Sequence, residues 1–377
     1  MSNSTDVFVI GGGPAGLAAA IAARAKGFRV TLADSAVPPI DKTCGEGLMP
    51  DSLAALRRLG LNLDEVERSF PFRGIRFLPA DRDATATVSA SFPHGSGIGV
   101  RRTLLHRLFV DRARDLGVEL LWGARVTGIG ANEVALDGRQ VRTEWIIGAD
   151  GQNSRVRSWA GLDDCSHESR RYGFRRHYRV APWTDCMEIY WGSGCQVYTT
   201  PVAPDEICVA LISRNPRLRM EEAMAGFSAL SGRLQGAFPV TAERGAVSAT
   251  RRLRHVAKGN VALVGDASGS VDAITGEGLC LAFHQSMHLA GALEEGDLSS
   301  YETAHPTFMK RPAAMADMML LLDRFSWLRH RVLPALSARP AIFSKMLAMH
   351  VGEITPPQFL FDAILPLGWQ LLHTRGI

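Results

Sequence analysis

The stretch Asp6-Val7-Phe8-Val9-Ile10-Gly11-Gly12-Gly13-Pro14-Ala15-Gly16-Leu17 constrains this chain most, because it reads as a buried strand, a tight glycine turn and a helix. In the spacing Gly11-x-Gly13-x-x-Gly16 each glycine has its own task. The first turns the chain, the second lets backbone approach a pyrophosphate, and the third lets helix pack on strand. An anion would sit on the helix N-terminus, where free N–H groups and the positive end of the dipole face it. A second strand, Val30 to Ala33, ends in Asp34, eighteen residues beyond Gly16. An acid there accepts hydrogen bonds from an adenosine ribose and favours a free 2′-hydroxyl, so the expected ligand is FAD or NAD rather than NADP. The bland alternative is an ordinary glycine turn.

The whole chain narrows the field. A length of 377 residues exceeds one compact core and suits two intimately joined domains. Its 37 arginines and 5 lysines face 38 acids, and the net charge of +4 is spread along the sequence. No nucleic-acid partner is expected from such a distribution. The six cysteines, Cys44, Cys165, Cys186, Cys195, Cys208 and Cys280, form no C-x-x-C pair and follow no regular spacing. No metal site and no disulfide framework are therefore expected, and a reducing cytoplasm is the default setting. The N-terminus lacks the basic region of a signal peptide, and no stretch reads as a full membrane span.

Along the chain, Thr43-Cys44-Gly45-Glu46-Gly47 forms a second glycine cluster before a helix expected over Asp51 to Leu59, capped by Asp51 and stopped by Gly60. Permissive glycines beside a thiol and a carboxylate would bring backbone and two reactive side chains to a ligand. The competing reading is a helix-leading loop with a buried Cys. Residues 72–92 alternate as strands, and Leu104 to Leu116 reads as a helix closed by Gly117. Glu133 to Leu136 and Val141 to Ile147 flank the hairpin signal Asp137-Gly138 and lead to Gly148-Ala149-Asp150-Gly151. Met187 to Trp191, Gln196 to Thr199 and Glu206 to Ser213 read as a mostly antiparallel sheet, followed by a helix near Met220 to Leu230. A buried strand, Asn260 to Val264, then enters Gly265-Asp266-Ala267, and Gly276-Glu277-Gly278 opens a long helix. The remainder from about Tyr301 reads as basic, apolar helices, either packed on the body or resting on an anionic membrane face.

Three ordered motifs, Gly11 to Gly16, Gly148-Ala149-Asp150-Gly151 and Gly265-Asp266-Ala267, resemble the FAD-dependent oxidoreductases of the para-hydroxybenzoate hydroxylase and geranylgeranyl reductase superfamily. The resemblance covers residues 6 to about 300. It implies an α/β fold: a Rossmann-like FAD-binding domain of the glutathione-reductase type, an inserted β-rich substrate domain and a helical C-terminal region. The expected boundaries are 1–70, 97–160 and 255–305 for the first, 71–96 and 161–254 for the second, and 306–377 for the third. By this resemblance Asp266 binds ribityl or ribose hydroxyls, and the helix after Gly276 and Gly278 offers N–H groups to the flavin. Arg102, with Arg101 as second choice, lies over the pyrophosphate, and Asp150 helps hold FAD. Ala15, Cys44, Gly45 and Val126 complete the expected cofactor set.

Lys42-Thr43-Cys44-Gly45-Glu46-Gly47 is similar to the K-P-C-G-x-G loop of the geranylgeranyl reductase branch, with Thr43 in place of proline. Tyr198-Thr199-Thr200-Pro201 stands where that branch has Y-x-W-x-F-P, but lacks the Trp and Phe that line the isoprenoid path there. Tyr190, Tyr198 and Pro201 are the expected substrate residues, alongside Trp191 in the same β-rich segment. The leading expectation is a monooxygenase that uses NAD(P)H transiently, no second nucleotide fold being visible, and oxygen to hydroxylate an apolar, aromatic or polyketide-like molecule. The alternative is a reductase or dehydrogenase acting on a C=C or C–H bond of a lipid-like substrate, with Cys44 or Glu46 as catalytic proton handlers. A third reading is a flavin-bound protein that only carries electrons or binds a lipid. The glycine motifs require FAD to copurify without a covalent tether, and Gly13→Val, which puts a side chain where pyrophosphate lies, abolishes its uptake. A colourless wild-type protein that takes up no FAD would remove the basis of this reading.

Overall fold

A computed structural model describes residues 4–81 and 86–368. Residues 82–85 of the strand-rich stretch and everything after 368, including the end of the tail, lie outside the described residues.

Five strands form a parallel frame in the spatial order Val261–Leu263, Arg139–Gly148, Ser4–Ile10, Val30–Asp34 and Glu119–Trp122. Val7, Phe8 and Val9 have no exposed surface, which is what an unbroken apolar run in a sheet covered on both faces implies. Pro14 starts the helix Pro14–Ala25 at a position where the missing N–H costs nothing, and its alanine-rich face packs on the helix Gly278–Glu295. The fit is close. A Cβ at Gly16 would fall 1.8 Å from the Gly11 carbonyl oxygen, and one at Gly11 would fall 2.4 Å from the Ala149 carbonyl oxygen. The hairpin at Asp137-Gly138 forms with φ of 48° and 79°, the pair of positive values that its turn requires.

The second sheet runs Phe238–Pro239, Cys165–Arg179, Glu206–Ser213, Cys195–Ala203, Cys186–Trp191, Gly74–Pro79 and Val88–Ser91, with Arg244–Leu253 paired to Cys165–Arg179. Its strands are antiparallel except where Gly74–Pro79 joins Cys186–Trp191. Three helices, Ser299–Arg324, Ser326–Ala338 and Pro340–His350, roof one face of this sheet. Phe77 links them, with ring centroids 4.8 Å from Phe343 and 5.6 Å from Trp191. The basic tail is thus packed on the body, although Leu321, Trp327, Phe361 and Leu365 stay exposed on its outer side. Among the described residues no helix is long and apolar enough to cross a membrane.

Two expected elements differ. The helix near residue 51 is Pro50–Arg58, with Met49 at its cap position and no side-chain cap bond. Pro50 already begins the helix, so Asp51 lies inside the first turn and binds Ser52 N and Arg311 instead. The helix expected over 220–230 is two short ones, Met220–Met224 and Ser228–Arg233. Phe227 is buried between them, and the Ser228 N–H is claimed by the Asp81 carboxylate from another part of the sheet.

The roof is pinned to the frame by His305, whose Nε2 lies 3.0 Å from the Ser268 hydroxyl and 3.1 Å from Gln285 Nε2. Burial lowers its pKa from 6.5 to about 4. Between those values the unfolded chain takes up a proton that the folded chain refuses, so the contribution of His305 to stability falls as pH drops through that window. Urea titrations from pH 7 to pH 4 should show a steeper loss of stability in the wild type than in His305→Gln. Equal slopes would remove His305 as the cause.

Candidate active site

The C-terminal ends of the parallel strands, where open α/β sheets place their ligands, give onto a cavity of about 1060 Å³ that extends to the roof helices. Its two ends differ in chemistry. At the frame end the wall includes Gly11, Gly13, Ala15, Asp34, Val126, Asp150, Gly265, Asp266, Gly276 and Gly278. Gly13 faces open space: apart from its chain neighbours, no described atom lies within 4 Å of where its Cβ would stand. Gly16 is not on the wall, because its surface is spent against Gly11 behind the turn.

Two of the acids of this end, Asp34 and Asp150, are held by backbone. Asp34 accepts from Gly12 N at 2.6 Å and Ala36 N at 2.7 Å. Asp150 accepts from Arg155 N at 2.7 Å and Val156 N at 3.2 Å, so it fixes the start of the next helix while facing the cavity. Asp266 pairs with Lys42 at 2.5 Å. Arg102 is buried on the wall, and its Nε has no hydrogen-bond partner among the described residues. Arg101 is directed away, to Glu206, and borders a separate small depression.

The loop between the two ends is organised by Glu46. Its backbone holds φ of 60°, a conformation uncommon for a residue with a side chain, and its carboxylate is buried. One oxygen accepts from Arg102 N at 2.8 Å and from Arg175 Nη1 at 2.9 Å, and the other lies 2.6 Å from His177 Nε2. Arg175 also clasps Asp41 at 3.0 and 2.9 Å; burial opposes the Asp41 charge, but these bonds and the guanidinium hold its carboxyl below the ordinary range. Burial, against the opposing charge of Arg102, pushes the Cys44 thiol up, so the thiolate is disfavoured. Glu46, His177 and Cys208 offer ligand atoms within 4.8 Å of one another, yet the Arg175 guanidinium bonded to Glu46 opposes a cation there.

The far end is apolar. The second sheet supplies Ile75, Phe77, Met187, Ile189, Tyr198 and Thr200, and the roof supplies Met315, Met319, Leu322, Phe343, Met346, Leu347 and His350. Of the expected substrate residues only Tyr198 reaches the cavity, its hydroxyl donating to the Ile274 carbonyl at 2.8 Å. Tyr190 does not. Side chains alternate along Cys186–Trp191, so Met187 and Ile189 face the cavity while Tyr190 points through the sheet to Glu188 and Phe227. The same alternation puts Thr200 beside Tyr198 and sends Pro201 to the opposite face. Trp191 packs against Phe77 in the core rather than on the wall. The roof residues were missed as lining, although their spacing, 315, 319 and 322, then 343, 346, 347 and 350, marks one face of each helix.

A family model described as FAD binding domain matches residues 4–296. The chain is 28% identical to a menaquinone reductase of Mycolicibacterium smegmatis, over 86% of this chain and 87% of that one. It is 26% identical to a Bacillus subtilis protein provisionally named FAD-dependent monooxygenase YetM, over 82% and 89%. A flavoprotein/dehydrogenase structure from Cytophaga hutchinsonii superposes with a TM-score of 0.82 at 18% identity, over 98% and 99%, a likeness of fold.

The three donors converging on Glu46 generate a specific expectation. Glu46→Gln removes the charge that Arg175 and His177 face and should cost about 3 kcal/mol of stability, read from the denaturant midpoint. Lost turnover with an unshifted midpoint would instead make Glu46 a proton-transfer group.

Proposed function

The chain belongs to the FAD binding domain family and is a FAD-dependent oxidoreductase; from that premise we propose that it is a monooxygenase hydroxylating an apolar, aromatic or polyketide-like molecule with NAD(P)H and oxygen. The observation that carries the proposal is the division of one cavity into a polar end fitted to a dinucleotide and an apolar end lined by the roof helices. The fit to FAD rests on the open face of Gly13 and the unpartnered Nε of buried Arg102, a cradle and a cation for a pyrophosphate. In this proposal Asp34 receives the adenosine ribose, while Asp150, Asp266 and the backbone at Gly276 and Gly278 hold the flavin half. Bound there, FAD supplies the two-electron redox chemistry and NAD(P)H the electrons.

The protein's own part is then to orient the substrate and exclude water. Tyr198 and Thr200 border the substrate from the sheet, and Met315, Met319 and Phe343 cover it from the roof. Glu46, engaged by three donors, is poorly placed to carry a proton, which favours chemistry located on the flavin, and Cys44 is kept as a thiol beside it. They serve here as wall and brace.

A reductase or dehydrogenase working on a C=C or C–H bond of a lipid-like molecule is the second reading. It is supported by the Cys44-Gly45-Glu46-Gly47 loop on the cavity wall and by the menaquinone reductase among the relatives. Isotopically labelled oxygen separates the two. FAD-loaded enzyme incubated with NAD(P)H, a lipophilic extract and labelled oxygen should yield a product bearing one labelled atom. Anaerobic turnover giving a product with added hydrogen and no label would replace hydroxylation by reduction.

A further inference from the structure

Glu277 stands on the cavity wall between Gly276 and Gly278, and His350, the last residue of the helix Pro340–His350, reaches the same wall from the roof. Both are unusually placed for polar groups. Glu277 is 4% exposed and His350 5%, yet neither carboxylate oxygen of Glu277 and not the Nδ1 of His350 has a hydrogen-bond partner among the described residues. Their own separation is 3.6 Å, and Arg311, which is committed to Asp51 at 2.9 Å, stays 3.7 Å from Glu277. Both are charge contacts beyond hydrogen-bonding distance, and the polar side chain beside the carboxylate is Thr275. Buried polar groups left unmatched in this way cost free energy, and three such atoms in one place leave hydrogen-bonding capacity that a group outside the chain can take up once the side chains turn toward it.

The surroundings say what that partner is. The roof residues that line the cavity along with His350 include Met315, Met346, Leu347 and Phe343, which offer nothing to a charged or multiply polar ligand. We propose that Glu277 and His350 form a polar recognition point of the substrate end, where they hydrogen-bond a hydroxyl or carbonyl oxygen carried by an otherwise apolar molecule. This rests on the reading of that end as a substrate chamber and names the substrate class further: a largely hydrocarbon body bearing an oxygen that enters first toward the frame.

The pair is chemically suited to either form of oxygen. A hydroxyl donates to the carboxylate or to the unprotonated imidazole nitrogen, whereas a carbonyl accepts from the protonated partner. Burial raises the Glu277 pKa against the opposing charges of His350 and Arg311, which brings its protonated form within reach. The other titratable groups near this corner are Asp51, His284 and Cys280 on the helices beneath it.

Two probes of similar shape test the proposal on FAD-loaded enzyme without turnover: 2-naphthol and 2-methylnaphthalene, with binding read from naphthalene fluorescence. The affinity ratio of naphthol to methylnaphthalene should fall about tenfold in Glu277→Leu and in His350→Leu, and stay near the wild-type ratio in Glu277→Gln, which keeps hydrogen-bonding atoms. An unchanged ratio in the leucine variants overturns the proposal. Equal loss of both probes also overturns it, because the pair would then shape the cavity rather than recognise an oxygen. The assay needs no product, so failure to find oxygenation leaves its result standing, and loss of oxygen recognition leaves the oxygenation experiment intact.

Discussion

The buried carboxylate of Glu46 is the interaction on which the site depends. It gathers a backbone N–H from the start of the Arg102 helix and two side chains from the second sheet, and thereby ties that helix and the second sheet to the loop between them. An unpaired carboxylate in that position would be prohibitively desolvated, and an unpaired Arg175 would be no better. Each group is tolerable only because the others are present. The left-handed backbone at Glu46 belongs to the same arrangement: the strain persists because the bonds around it leave no alternative. Arg102 is directed into the cavity as a consequence, since its own backbone is one of the donors that Glu46 holds.

From that brace the cavity takes its two characters. The frame end is made of backbone at close quarters, where Gly11, Gly13 and Gly265 keep the strand ends bare and Asp34 and Asp150 are fixed by backbone N–H groups. The roof end is made of flexible methionines and leucines from helices that share a core with the second sheet. In the proposed reaction a polar cofactor and an apolar substrate would meet in this one cavity without either being surrounded by the wrong medium. The corner formed by Glu277 and His350 is the exception, and its unmatched atoms stand out because every other buried acid near the cavity is answered.

Much of the frame was legible because its signals are local. The glycine spacing, the apolar strands and the Asp137-Gly138 turn each specify a backbone shape within a few residues, and they recur where the chain sequence put them. Boundaries were less legible where tertiary contacts intervened. Asp51 is drawn to Arg311 rather than to a capping bond, and Asp81 interrupts the helix near Ser228.

The sequence by itself determined the parallel frame, the glycine cradle and the residue types available at its edge, since these follow from backbone sterics and short-range periodicity. It also carried the alternation that separates Met187 and Ile189 from Tyr190, and Tyr198 and Thr200 from Pro201, but not the face that would be covered. Only the tertiary structure decided that, by laying the C-terminal helices on one side of the second sheet and so making one set of side chains a cavity wall and the other a buried support. It likewise decided that Glu46 would be engaged by three donors, and that Glu277 would come beside His350. Such pairings join segments dozens to hundreds of residues apart, and no local periodicity encodes them; they arise only when burial forces each charge to find its partner.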